Sequence, residues 1–200
     1  SVESMLPFLQ HYNAEVQIVS ILVPYMSFQR MGEIAGPLAQ AIKGAMQKHN
    51  LSWGKDVALL LTTDAVHYGD EEWGGKNYAP YGTDTLGYQK AVAHEHEIID
   101  SALIGTLSIK KANRFYEYTV DPKDYREYRW TWCGRYSVPL GLLTALELQQ
   151  LGGEPNLNGE LVGYATSIDH TPLPVEDLQM GKTAIATMHH WVGYAAVGYR

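Results

Sequence analysis

The sequence has few of the features that mark specialised classes of protein. Its 200 residues contain a single cysteine, Cys133, so an intrachain disulfide is impossible and a reducing compartment is favoured. There is no run of lysine or arginine, and the formal net charge is -7, which argues against nucleic acid or an anionic membrane as a partner. No apolar stretch approaches the roughly 20 residues that span a bilayer. We therefore expect a cytoplasmic protein.

Several short motifs with well-known chemistry are also missing. The chain contains no glycine-rich phosphate loop, no Gly-x-Ser-x-Gly elbow and no His-Glu-x-x-His pattern. Kinase, nucleotide-binding, hydrolase-elbow and zinc-protease functions therefore lose their main support. The function has to be sought in less regular groups of residues.

The chain does contain enough apolar material for one core. Hydrophobic residues make up 46% of it and charged residues 18%, which at this length predicts a single domain over residues 1–200. Its first residues, 2–9, already have the character of a fold interior. We therefore expect that a preceding N-terminal part is missing.

The first third of the chain has the pattern of a β-α-β unit. Residues 16–23 are rich in β-branched side chains and residues 57–61 form an apolar run, so both segments are predicted to be strands. Between them, apolar residues recur every four positions from Ile34 to Met46, which predicts a helix. Such a unit should have a right-handed crossover and parallel strands.

The rest of the chain predicts three further helices and two late strands. The helices are expected at 84–103, 108–118 and 137–151, and the strands at 160–167 and 191–199. Asp84, Ser108 and Ser137 are the expected N-caps. The glycine-rich segment 70–84 is expected to be a long loop, which is typical of a lid over a site.

Asp64 and His67 are the first candidate site residues. They follow the predicted strand 57–61 directly. Ligands in open α/β sheets bind beyond the carboxyl ends of the strands, so an acid and an imidazole at this position favour a catalytic role. The alternative is an ordinary turn in which both side chains serve only local hydrogen bonds.

Cys133 is the second candidate. It precedes the predicted helix that begins near Ser137, and Arg135 lies two residues further on. A helix N-terminus and a guanidinium both favour the thiolate, the form that binds metal or attacks carbon. Arg135 also suits a carboxylate or phosphate ligand. We predict that Cys133 shares one cleft with Asp64 and His67, although a lone cysteine is often only a small buried hydrophobe.

The remaining histidines have poor spacing for a metal site. His94 and His96 are two residues apart on a predicted helix, where their side chains point roughly 200° apart. His189 and His190 are adjacent and would face opposite sides of a strand. Neither pair is therefore predicted to chelate one ion.

Three separated pieces of the sequence agree with one known family. Val2-Glu3 with Leu6-Pro7-Phe8, residues 62–69 (Thr-Thr-Asp-Ala-Val-His-Tyr-Gly), and Cys133-Gly134-Arg135 before a leucine-rich helix occur in that order. Together they resemble the Memo family, whose prokaryotic members are called AmmeMemoRadiSam system protein B. The late Gly163-Tyr164-Ala165 and Gly193-Tyr194 resemble the closing strands of that family.

The resemblance implies an α/β fold like that of the class III extradiol dioxygenases, with a mixed, mainly parallel central sheet and helices on both faces. It assigns the family's aspartate and histidine to Asp64 and His67, and its metal-linked cysteine to Cys133. Two further metal-ligand histidines of the family lie in an N-terminal part that this chain does not contain, so the chain would be the carboxyl-terminal part of a larger protein. This sequence departs from the family pattern at Tyr136, where a histidine is usual.

Three functions follow as hypotheses. The first is a metal-binding protein with a copper- or iron-dependent redox role, in which Cys133 binds the metal and His67 is a general base oriented by Asp64. The second is a non-enzymatic protein that binds a peptide or small molecule in the same cleft, with Arg135 and Tyr68 as ligand contacts. The third is a cysteine-dependent hydrolase.

Metal binding by this chain alone is expected to be weak. One thiolate and one imidazole supply at most two protein ligands, whereas tight sites take three or four. The sequence indicates no other cofactor, and it carries no signal for the oligomeric state.

Overall fold

The computed structural model describes residues 2–153, 155–171, 174–178 and 185–200. Its helices are α1 (Val2–Tyr12), α2 (Phe28–His49), α3 (Thr85–Ile98), α4 (Ile109–Thr119) and α5 (Ser137–Gly152), with a π-helical turn at Ile99–Leu103 and a 3-10 turn at Glu176–Leu178. Its strands are β1 (His67–Gly69), β2 (Gly105–Thr106), β3 (Asn158–Thr166) and β4 (His190–Tyr199).

The four strands form one sheet in the order β1-β4-β3-β2, and every pairing is antiparallel. The longest pairing joins β3 to β4, from Gly159 opposite Tyr199 to Thr166 opposite Gly193, with an irregularity between Leu161 and Gly163. The predicted late strands are thus confirmed. The mainly parallel central sheet predicted above is wrong.

The reason lies in the two segments predicted to be parallel strands. In the part of the chain that the structure describes, residues 16–23 and 57–61 join no sheet, and Val57 makes only an isolated bridge with Trp53. A strand exists only when a neighbour accepts and donates its ladder hydrogen bonds, and β-branched composition cannot supply that neighbour. The predicted β-α-β crossover therefore does not form.

The predicted helices are all present, with corrected ends. Helix α2 begins at Phe28, six residues before the first residue of the predicted stripe, because the Ser27 hydroxyl caps it by accepting from the Arg30 amide. Asp84 and Ser108 cap α3 and α4 as predicted. Ser137 is not a cap, since it is already the first helical residue of α5 and the preceding Tyr136 makes no capping bond.

Helix α5 lies at the centre of the core. Half of its 16 residues are buried, and it packs against α2 and α4. The segment 57–61 runs across it at Gly141, where a Cβ atom would come within 2.2 Å of the Leu61 side chain. Glycine at this position therefore allows the chain leading to Asp64 to approach α5 closely.

The amino-terminal helix is peripheral, which differs from the interior character expected of residues 2–9. Helix α1 has no buried residue. Segment 70–84 contains no helix or strand, as predicted for a loop. Among the described residues, no helix combines the length and apolar character needed to cross a membrane.

Candidate metal centre

The candidate site forms where β1 meets the chain that leads into α5. Val66 and Trp132 make an isolated antiparallel bridge. The His67 amide donates to the Thr131 carbonyl at 3.0 Å, and the Thr131 hydroxyl donates to the His67 carbonyl at 2.5 Å. These bonds bring Cys133, which follows the bridge, beside His67.

A glycine permits the third residue to join them. A Cβ atom on Gly134 would lie 2.5 Å from the Thr63 Cγ2 atom. Only glycine therefore lets the segment that carries Asp64 pack against the turn that carries Cys133. Two segments almost seventy residues apart in sequence thus contribute to one group.

His67 contacts both of the other candidate side chains. His67 Nε2 lies 3.1 Å from Asp64 Oδ2 and 3.3 Å from Cys133 Sγ, and the sulfur is 3.8 Å from Nδ1 of the same ring. One ligand atom from each residue lies within 4.8 Å of the others. The predicted proximity of His67 and Cys133 is confirmed, but the predicted central strand beneath them is absent.

The two neighbours of His67 favour its protonated form. The hydrogen bond to Asp64 and the hydrogen bond to Cys133 raise the pKa of His67 to about 9, although burial opposes them. The same contact with His67 lowers the pKa of the Asp64 carboxyl. Near neutral pH, the site therefore holds an imidazolium ion next to a carboxylate and a sulfur atom.

The predicted lid loop covers one side of the site with an aromatic ring. The Trp73 indole stacks on His67, with centroids 4.9 Å apart and planes 19° apart. It also stacks on His190, with centroids 4.0 Å apart and planes 13° apart. Cys133 is exposed and the Asp64 side chain is 48% exposed, so solvent reaches the group from both of these side chains.

The two residues predicted to contact a ligand, Arg135 and Tyr68, lie in the interior. Arg135 is 4% exposed, its guanidinium carbon is 3.4 Å from the centre of the Tyr128 ring, and Nη2 donates to the Arg126 carbonyl. Tyr68 is fully buried and its hydroxyl donates to the Gly82 carbonyl. Adjacent strand residues face opposite sides, so β1 turns Tyr68 into the core while it presents His67 to the site.

The other histidines stay outside this group. His94 hydrogen-bonds to Glu97, and the His96 ring packs on Tyr164. His189 forms a separate, fully exposed cluster with Asp70 and Glu71. Sequence reasoning missed that cluster because only the pairing of β1 with β4 brings residue 70 next to residue 189.

Sequence reasoning also missed Glu95, a fully buried carboxylate on α3. Its one sequence signal is its place on the apolar face of that helix, four residues after the buried Ala91 and three before the buried Ile98. A charged residue at a core position of this kind requires partners.

The chain was also compared with known proteins. A sequence model of one protein family, described as Memo-like protein, matches residues 1–176. Comparison with curated proteins gives no match.

Proposed function

The chain belongs to the Memo-like protein family, and from that premise we propose that Asp64, His67 and Cys133 bind a copper or iron ion that serves a redox role. The observation that carries the proposal is the convergence of a carboxylate oxygen, an imidazole nitrogen and a sulfur within 4.8 Å of one another. The sequence alone suggested only two ligands, and Asp64 supplies the third.

The donor set fits such an ion. Thiolate and imidazole are ligands that copper and iron accept, and the carboxylate adds negative charge. Three protein donors with an exposed sulfur leave positions open for an external molecule. When bound, the ion would supply Lewis-acid and one-electron chemistry. The residues themselves hold a proton at His67 that has to leave before the ring can bind metal.

The geometry argues against the cysteine hydrolase. In a relay of nucleophile, base and orienting acid, the two partners of the imidazole use opposite ring nitrogens. Here Asp64 Oδ2 and the shorter Cys133 contact both lie at His67 Nε2. The ring nitrogen opposite Asp64 makes only the longer contact with the sulfur, at 3.8 Å, and three donors grouped this closely suit a shared ion better than a proton relay.

The ligand-binding alternative has less support. It relied on Arg135 and Tyr68 as contacts, and both side chains are already engaged in the interior. A cleft that recognised a peptide through these two residues would first have to expose them, since Arg135 is 4% exposed and Tyr68 is fully buried.

Calorimetric and absorption titrations test the proposal. We expect one equivalent of Cu(II), or Fe(II) without oxygen, to bind, with a sulfur-to-metal charge-transfer band for copper. Binding should be lost in Cys133→Ala and retained in His189→Ala, which disrupts only the separate exposed cluster. Because one proton leaves His67, and a thiol proton also leaves when Cys133 binds as thiolate, affinity should rise by at least about tenfold per pH unit below the His67 pKa of about 9.

The redox role is tested by voltammetry of the loaded chain, where we expect a reversible one-electron couple. Binding of zinc but not of copper or iron would contradict the proposal. So would binding that survives Cys133→Ala.

A further inference from the structure

The side chain of Glu95 links the two segments that carry His67 and Cys133. Its Oε1 atom accepts hydrogen bonds from Trp130 Nε1 at 2.5 Å and from Trp132 Nε1 at 2.6 Å. Its Oε2 atom accepts from the Val66 backbone amide at 3.2 Å. The carboxylate is fully buried, and it forms no ion pair with any of the described residues.

The positions of two of these donors matter most. Val66 immediately precedes His67, and Trp132 immediately precedes Cys133. The two residues already pair through an isolated bridge, and Glu95 holds both of them from the core side. The Gly193 amide of strand β4 also donates to the Val66 carbonyl, whereas the Trp132 indole N–H donates to Glu95.

A carboxylate is a costly way to fill this space. Burial raises the pKa of Glu95 to about 7, although the two indole N–H groups and the Val66 amide oppose that rise. An apolar side chain would avoid the cost of desolvation but would leave three buried N–H groups without acceptors. Glu95 therefore accepts hydrogen bonds from three buried N–H groups that lie in the two segments carrying His67 and Cys133.

We propose that Glu95 is a positioning residue, which sets the spacing between His67 and Cys133 by holding Val66 and Trp132 with one carboxylate. The use of that spacing for metal binding rests on the proposed function, whereas the role of Glu95 in setting the spacing does not. Glu95 touches neither ligand side chain and acts through the residues next to them.

Glu95→Gln is the most informative replacement because glutamine has the same shape as glutamate and different hydrogen bonding. Both carboxylate oxygens accept, whereas an amide has one accepting oxygen and one donating nitrogen. In either orientation of Glu95→Gln, the amide nitrogen would face an N–H donor, either the Val66 amide or the two indoles. Glu95→Gln should therefore weaken the hydrogen bonds that hold Val66 and Trp132 without a change in side-chain volume.

The test measures how strongly His67 influences Cys133 in the metal-free chain. The readout is the rate of alkylation of the single cysteine by iodoacetamide at neutral pH. The His67 ring lies 3.3 Å from the sulfur, and a cationic neighbour makes a cysteine more reactive, so His67→Gln should slow alkylation by about fivefold in the unaltered background. In the Glu95→Gln background, the same replacement should slow it by less than about twofold, because the two side chains are no longer held together.

Two further variants separate positioning from general loss of stability. Thr144→Val removes a buried hydrogen bond to the Leu140 carbonyl within α5, away from the site, and should leave the full effect of His67→Gln. Trp132→Phe removes one donor to Glu95 while the others remain, so it should weaken the effect of His67→Gln partly. This milder variant also serves if Glu95→Gln does not fold.

An equal effect of His67→Gln in the unaltered, Glu95→Gln and Trp132→Phe backgrounds would overturn the inference. If His67→Gln had no effect in the unaltered chain, the inference would also be overturned, since His67 and Cys133 would not be held close enough to influence each other. Copper titration of the unaltered chain decides the proposed function separately. A chain that binds no copper, but in which Glu95→Gln abolishes the influence of His67, would refute the metal role and support the positioning role.

Discussion

At the scale of single residues, His67 links the chemistry of the site to the stability of the fold. One imidazole contacts a carboxylate, a sulfur atom and an indole ring. Each of the first two contacts is stronger when the ring is charged, so the folded state binds the His67 proton more tightly than an unfolded chain would.

The first prediction concerns stability as a function of pH. The pKa of His67 rises from 6.5 to about 9 on folding, so its stabilising contribution is complete below pH 6.5 and is lost as the pH increases toward 9. The lowered pKa of Asp64 works at the acid end, where protonation of the carboxyl removes the same pair. We expect the melting temperature to fall between pH 6.5 and 9, and to fall less in His67→Gln.

Two other groups titrate in an overlapping pH range, so a control has to separate their contributions from that of His67. The raised pKa of Glu95, about 7, gives a loss of stability between about pH 4.5 and 7, and the raised pKa of His189 gives a loss above 6.5. His189→Gln should therefore flatten the alkaline limb less than His67→Gln, because His189 lies on the surface. Equal alkaline slopes for His67→Gln and the unaltered chain would contradict the coupling.

At the scale of elements, the short strand β1 carries the site because it pairs with β4. Only three residues pair, from His67 opposite Val192 to Gly69 opposite His190. Gly69 ends the strand with φ at +135°, a region that side chains rarely adopt. A Cβ atom there would lie 1.9 Å from the His189 carbonyl oxygen.

Gly69→Ala should therefore destabilise the chain. The strained φ and the collision with backbone should together cost at least about 2 kcal/mol of unfolding free energy. Urea denaturation followed by tryptophan fluorescence measures this cost. The matched control is Gly163→Ala in β3, where a Cβ atom meets nothing within 4 Å. If the two variants were equally stable, the close approach of β1 to residue 189 would be disproved.

The helix caps and strands also show which elements can be predicted from neighbouring residues alone. Asp84 and Ser108 cap their helices as the sequence predicts, because a cap depends on residues three positions away. Ser137 has the same residue type as Ser108 but lies inside α5, since a preceding turn, in which the Val138 amide donates to the Gly134 carbonyl, leads directly into the helix. Segments 16–23 and 57–61 have the composition of strands but join no sheet among the described residues.

At the scale of the whole molecule, unpaired segment 16–23 leaves apolar surface uncovered. Val19 is 89% exposed and Leu22 is 95% exposed, and Ile18 and Ile21 are also exposed. Exposed apolar side chains close together in sequence favour association with other molecules.

We therefore expect the chain to self-associate as its concentration rises, as measured by sedimentation velocity. Leu22→Lys combined with Val19→Lys should shift the distribution toward monomer. Leu86→Lys, which adds a charge at a leucine of α3 that is also exposed, should change it little. A chain that remained monomeric at all concentrations would contradict this expectation.

The sequence by itself determined the properties that depend on neighbours within a few residues. These are helices α2 to α5, the caps of α3 and α4, the late strands, the long loop and the short motifs that identify the family. It also singled out Asp64, His67 and Cys133, because their residue types and local settings favour chemistry. Periodicity and capping are local, so they can be read along the chain.

Only the tertiary structure decided how the strands pair and what surrounds the site. Partners far apart in sequence meet through backbone hydrogen bonds and close glycine contacts, which no local pattern encodes. Tertiary packing therefore left the predicted parallel strands unpaired, turned Tyr68 and Arg135 inward, and placed His67 against Cys133. It also buried Glu95 beneath the site, where three N–H donors from two distant segments converge on one carboxylate.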